Sequence, residues 1–144
     1  MSEQFITYRY KDLFRIDRPY NWIVTTDLTY YDKDLVVLFK ASPSADSIAS
    51  LAVAIIENVD PMIYEFLDKK LILDIISNES AELIDSTDCA RVGEQQAFKI
   101  LHKELTNNTM HLNFYTMKDQ KIWSITYNSK IQEYEQYFLT ILHM

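Results

Sequence analysis

Residues 93–127 read GEQQAFKILHKELTNNTMHLNFYTMKDQKIWSITY. Three short polar breaks, Gly93-Glu94, Asn107-Asn108 and Asp119-Gln120, divide the stretch into runs that largely alternate apolar and polar side chains. Alternation at period two marks a strand with one covered face. Gly at the first central position of a two-residue loop suits a type II′ turn, and Asn tolerates the positive φ of type I′. With Ala81–Val92 before it, the stretch predicts a four-stranded antiparallel meander. Strands joined by tight hairpins pair antiparallel, so the meander sets the class as α+β rather than a parallel doubly wound sheet.

The hairpins also imply a register. If Asn107-Asn108 is the whole loop, Glu104 stands opposite His111 and His102 opposite Asn113, and opposed residues share a face. His102, Glu104, His111 and Asn113 then form one polar patch, while Leu101, Leu105, Met110, Leu112 and Phe114 share the other face. Counting through Asp119-Gln120 adds Trp123, Ile125 and Tyr127 to the apolar side. Two imidazoles and a carboxylate are a donor set for a divalent metal such as Zn²⁺, Mn²⁺ or Ca²⁺ at His102, Glu104 and His111. They are equally the content of a solvated sheet face. No Ser, Cys or Lys nucleophile is placed beside them, so no catalytic residue and no cofactor is expected.

Upstream, Phe5–Tyr10 and Leu13–Asp17 read as strands, the second closed by the turn chemistry of Arg18-Pro19-Tyr20-Asn21. Trp22–Thr25 resumes extended structure, and Asp27–Asp34 is a polar loop. Leu35–Phe39 and Ile48–Glu57 are apolar strands separated by a Ser/Pro-rich break at 42–47. Asp60-Pro61 opens a helix, Asp as cap and Pro at the first helical position, and Asn78 ends it. Ser129 and Gln132 have capping-box spacing before a last helix. That helix carries Ile131, Tyr134, Phe138, Ile141 and Leu142 on one face and Glu133, Glu135 and Gln136 on the other. The expected architecture is one domain over 1–144, an antiparallel sheet with a helix on each face, an α/β/α sandwich.

Composition narrows function mainly by exclusion. The chain has one glycine, Gly93. Phosphate-cradling loops need several, so no Walker loop, dinucleotide fingerprint or nucleophile elbow can be written. The net charge of −7 argues against a nucleic-acid backbone and against electrostatic docking on an anionic membrane. Cys89 is a lone cysteine, which excludes an internal disulfide and is read as a small core residue. No apolar run reaches the length of a membrane span. Met1–Tyr10 lacks a basic segment followed by an apolar one, which fits a cytoplasmic protein or the mature part of an exported one. Tyr30-Tyr31, two aromatics in a polar loop, are candidate anchors for a protein partner.

Three landmarks carry a resemblance. Residues 14–22, FRIDRPYNW, follow the pattern F-x-I-x-x-P-x-x-W. Gly93 sits at a turn between two central strands, and residues 122–127, IWSITY, precede Glu133-Tyr134 and Phe138 after a short polar gap. This order resembles the PsbP family of extrinsic photosystem II proteins, whose fold is shared by an import factor that binds the GTPase Ran. The resemblance spans nearly the whole chain and rests on structural positions. It implies a non-enzymatic accessory, assembly or binding protein, with a thylakoid-lumen member among the alternatives. The expectation is a domain that docks on a protein partner. The alternative is a divalent-metal or small-ligand binder using the His/Glu patch.

Overall fold

The computed structural model describes residues 4–10, 14–25, 34–41, 48–56 and 60–143, with backbone only at 10, 34–36 and 139–143. Nine strands are present among them: β1 Phe5–Tyr10, β2 Phe14–Pro19, β3 Ile23–Thr25, β4 Asp34–Lys40, β5 Ser50–Ile56, β6 Ala81–Val92, β7 Gln95–Glu104, β8 Thr109–Lys118 and β9 Lys121–Lys130. Helix α1 spans Pro61–Ile76, and α2 spans Tyr134–His143 after a 3₁₀ turn at Ile131–Glu133. The fold is α+β. Strands β3-β4-β5-β9-β8-β7-β6 form one sheet in that order, every neighbouring pair antiparallel, and β1-β2 form a separate hairpin.

The sheet is a meander folded back on itself. After β5 the chain runs through α1 to the far edge, then returns strand by strand until β9 pairs with β5. One row of opposed residues, Leu101, Leu112, Tyr127, Leu51, Phe39 and Val24, crosses six strands. Leu112, Tyr127, Leu51 and Phe39 are almost wholly buried and centre the core. Burying each such side chain contributes roughly 1.5–3 kcal/mol.

Aromatic rings cover this row. Tyr8 of β1 meets Phe39 edge-on at 5.4 Å, and Phe14 of β2 meets Trp123 at 5.6 Å. From α2, Tyr134 stacks on Tyr127 at 5.4 Å, and the Tyr127 hydroxyl donates to the Tyr134 carbonyl at 3.1 Å. Trp22 is buried against Tyr137. The preceding turn is held by Trp22 N–H on the Pro19 carbonyl and by the Arg18 guanidinium, which donates to the Trp22 carbonyl at 3.0 Å.

Helix α1 starts as its sequence dictates. The Asp60 carboxylate accepts from Met62 N–H at 2.9 Å and Pro61 is the first helical residue. The helix reaches the sheet through Tyr64, whose hydroxyl donates to the Tyr115 carbonyl at 3.1 Å and whose ring lies 5.7 Å from Phe98.

Two hairpins form as read. Val92 pairs with Gln95 around Gly93, which has φ +58°, and Lys118 pairs with Lys121 around Asp119 and Gln120, both at positive φ. The third differs. Glu104 pairs with Thr109, so the loop is Leu105–Asn108, four residues rather than two. Leu105 N–H is drawn to the Ser80 carbonyl at 2.7 Å, and the Asn108 carbonyl accepts from Ile131 N–H at 3.0 Å. These tertiary bonds hold the loop open, and only Asn108 takes positive φ.

Two further readings are corrected. Cys89 is exposed, because a register shift in β6 between Thr87 and Ala90 takes it out of the pairing. Glu133 is buried rather than on the solvated side of the last helix, and it, not Gln132, reaches back to the helix start: its carboxylate accepts from Lys130 N–H at 3.1 Å.

Candidate functional site

The sheet brings His102, Glu104, His111 and Asn113 onto one face, but in a different register from the one expected. His102 stands opposite His111, and Asn113 opposite Ile100. The shift is by two residues, an even number, so face membership survives while the pairings change. The imidazoles of His102 and His111 stack with centroids 4.9 Å apart and planes 21° apart.

His111 is fully engaged. The Asn128 amide oxygen can only accept, so His111 Nδ1 donates to it, and Nε2 lies 2.9 Å from the Thr109 hydroxyl. Glu104 Oε2 is 3.7 Å from the same Nε2. Asn113 is buried, its amide oxygen accepting from the Thr126 hydroxyl at 2.9 Å. His102 differs. Its Nδ1 is buried and has no hydrogen-bond partner among the described residues. Desolvation holds its pKa below the ordinary histidine value, helped by neighbouring His111 and opposed by Glu104. The ring borders a cavity of about 220 Å³ between α1 and the sheet, together with Leu71, Asp74, Asn78 and Tyr115. Among the described residues no group of three His, Cys, Asp or Glu side chains is placed to hold a metal ion. Tyr30 and Tyr31 lie outside the described residues.

A surface that pattern reading missed lies on α1. No residue of this helix is fully buried. Tyr64, Leu67, Leu71 and Ile75 are half-buried, four apolar positions at helical spacing. A second apolar stripe runs along the other side. Met62, Phe66, Leu73 and Ile76 are each between 56 and 64% exposed, and exposed Lys69 completes the series 62-66-69-73-76. Steps of four, three, four and three residues are the heptad seam by which helices pack on helices. Lys69 Nζ sits 6.0 Å from the Phe66 ring centroid, partly sheltering it. The signal was present in the sequence, but a search for one apolar side does not look for a second.

No helix among the described residues is long and apolar enough to cross a membrane. No family model matches the chain, and no curated protein matches it. Solved structures do. Cyanobacterial PsbP (CyanoP) from Synechocystis sp. PCC 6803 superposes with TM-score 0.64 at 15% identity, over 97% of this chain and 88% of that one. Protein PA94 of Pseudomonas aeruginosa, of unknown function, superposes with TM-score 0.60 at 11% identity, over 95% and 90%. At these identities the likeness is one of architecture. The Gly93 turn, expected between two central strands, joins β7 to the edge strand β6. The chain has a PsbP-like fold.

Proposed function

We propose that the chain is a non-catalytic accessory domain, a sheet with a helix on each face, that docks on a protein partner through the outward stripe of α1. The two-sided arrangement is supported by Tyr64 of α1 contacting Tyr115 and Tyr134 of α2 contacting Tyr127, residues of opposite parity across paired strands. One observation carries the docking: Met62, Phe66, Leu73 and Ile76 form an exposed apolar seam that no other described residue covers. The partner is an amphipathic helix with an acidic residue opposite Lys69. A second copy of α1, aligned parallel or centred antiparallel, would set Lys69 against Lys69, a like-charge contact that disfavours self-pairing. The resemblance to the PsbP family makes photosystem II subunits candidate partners to be tested.

A photo-crosslinking residue at position 66, introduced in cells that make the protein, tests this. The expected product joins position 66 to an acidic amphipathic helix of one other protein, and Leu73→Glu abolishes it. Labelling no stronger than from a control position on β6, such as Glu82, would overturn the reading.

A second reading rests on His102. A buried ring nitrogen without a partner, beside a cavity, is a hydrogen-bond or ligation site for a small ligand or for Zn²⁺, Mn²⁺ or Ca²⁺. Use of His111 as well would displace its contact to Asn128 if Nδ1 ligated, or to Thr109 if Nε2 did. Calorimetric titration against a His102→Ala, His111→Ala variant decides it: saturable binding lost in the variant is expected, and unchanged or absent binding excludes it.

A further inference from the structure

A second cavity, of about 460 Å³, opens between β2, the β6–β7 turn and the sheet, and it shares no residue with α1 or the histidine patch. Its floor is apolar: Leu51 and Val53 of β5, Phe114 of β8, and Trp123 and Ile125 of β9. Around it stand Arg15 from β2, Arg91 beside the Gly93 turn, and Lys118 at the end of β8. All three are exposed, and among the described residues none makes an ion pair or side-chain hydrogen bond. Among the described residues no Asp or Glu lines the cavity, although the chain carries 21 acidic residues against 14 basic ones. A net-acidic protein has thus gathered three cations around an apolar hollow with no carboxylate among its described lining residues. Gln95, Thr116 and Tyr127 are the uncharged polar side chains among its described lining residues.

We propose that this cavity binds a small amphipathic anion, a carboxylate with an apolar tail. The tail lies on Trp123 and Ile125, and the head meets Arg15, Arg91 and Lys118. The volume lies within the usual range for small-ligand sites. That volume has ample room for an alkyl chain of roughly ten carbons packed at interior density. Arg is suited to the head, because its planar fork grips a carboxylate by two parallel hydrogen bonds. A neutral tail alone would leave the cations unused, and an anion without a tail would leave the apolar floor wet.

The test is a fluorescence titration with decanoate, read from Trp123 and assigned with Trp123→Phe. Saturable binding is expected, at least tenfold weaker for decanol and undetectable for acetate. Arg15→Gln combined with Arg91→Gln should weaken decanoate at least tenfold and leave decanol unchanged. Both arginines are exposed, so the variant keeps the native far-ultraviolet circular dichroism, which is checked alongside. An Ile125→Asp variant, deleting the tail site, serves as a second probe. The proposal is overturned by absence of saturable binding, by equal affinity for decanol and decanoate, by indifference to the double arginine change, or by binding to phosphatidylglycerol vesicles without binding to decanoate.

Discussion

The carboxylate of Glu133 accepts a hydrogen bond from the backbone N–H of Ile48, at 3.1 Å and 85 positions away in sequence. The same oxygen accepts from Lys130 N–H, so one buried side chain fixes both the entry to α2 and the approach to β5. Removing it leaves two donors without their acceptor. Glu133→Ala should cost roughly 1–3 kcal/mol in urea denaturation, whereas Glu133→Gln, which keeps an acceptor oxygen, should retain most of the stability. Equal losses in the two variants would mean that the contact is packing alone.

Gly93 has φ +58°, and a Cβ there would meet nothing within 4 Å. The cost of Gly93→Ala is therefore backbone strain without steric clash, about 1 kcal/mol. A D-alanine installed by ligation, whose mirror-image backbone prefers positive φ, should recover it. Thermal unfolding of the three proteins at matched concentration measures the ordering.

Tyr127 carries the stacking with Tyr134 and donates to its carbonyl, and burial pushes its phenol far above the ordinary tyrosine pKa. Tyr127→Phe removes the hydrogen bond and should cost about 1 kcal/mol. Tyr127→Ala also opens a cavity at the centre of the sheet and should cost roughly 3–5 kcal/mol. Spectrophotometric titration should show one tyrosine that ionises only with unfolding, and that signal should vanish in Tyr127→Phe.

The folded pKa of His102 lies below its unfolded value, chiefly through desolvation. Between the two values the unfolded chain binds more protons, so stability falls as pH drops through about 6.5 and levels off below the folded pKa. His102→Gln should flatten that segment of the curve. Urea midpoints at pH 7.5 and 5.5, compared between parent and variant, check this, and parallel drops would assign the dependence to other groups.

Phe66→Glu and Leu73→Glu place charges on side chains that already face solvent. Each should change stability by no more than about 0.5 kcal/mol. Unaltered melting of both, together with loss of the position-66 crosslink in Leu73→Glu, would separate docking from folding, and a large stability loss would show that the stripe is covered within the chain.

Much of the strand order was readable because its signals are local. Gly93 and Asp119-Gln120 set two-residue turns by backbone conformation, and the register of β8 on β9 follows by counting. The Asn107-Asn108 loop was misread because its length is set by Ser80 and Ile131, residues brought in by tertiary structure. Glu133 falls on the polar side of a helical pattern, yet its partner Ile48 belongs to another part of the chain. The polar patch survived the register error because a two-residue slip preserves faces, but which imidazole lacks a partner depends on Thr109 and Asn128 and was invisible. The α1 seam was written in the spacing 62-66-69-73-76, but only exposure distinguishes a seam from a core.

The pairing of β5 with β9 has a consequence for biosynthesis. Leu51 meets Tyr127, more than half the chain later, and no other strand covers that edge of β5. As the chain emerges from the ribosome, β4 and β5 must wait with an apolar edge unpaired until β9 has been made. A product truncated before Lys121 would keep that edge permanently open, a template for aggregation rather than a smaller folded unit. The sheet is completed from its middle, by its last strand, so quality control in the cell will treat this protein as all or nothing.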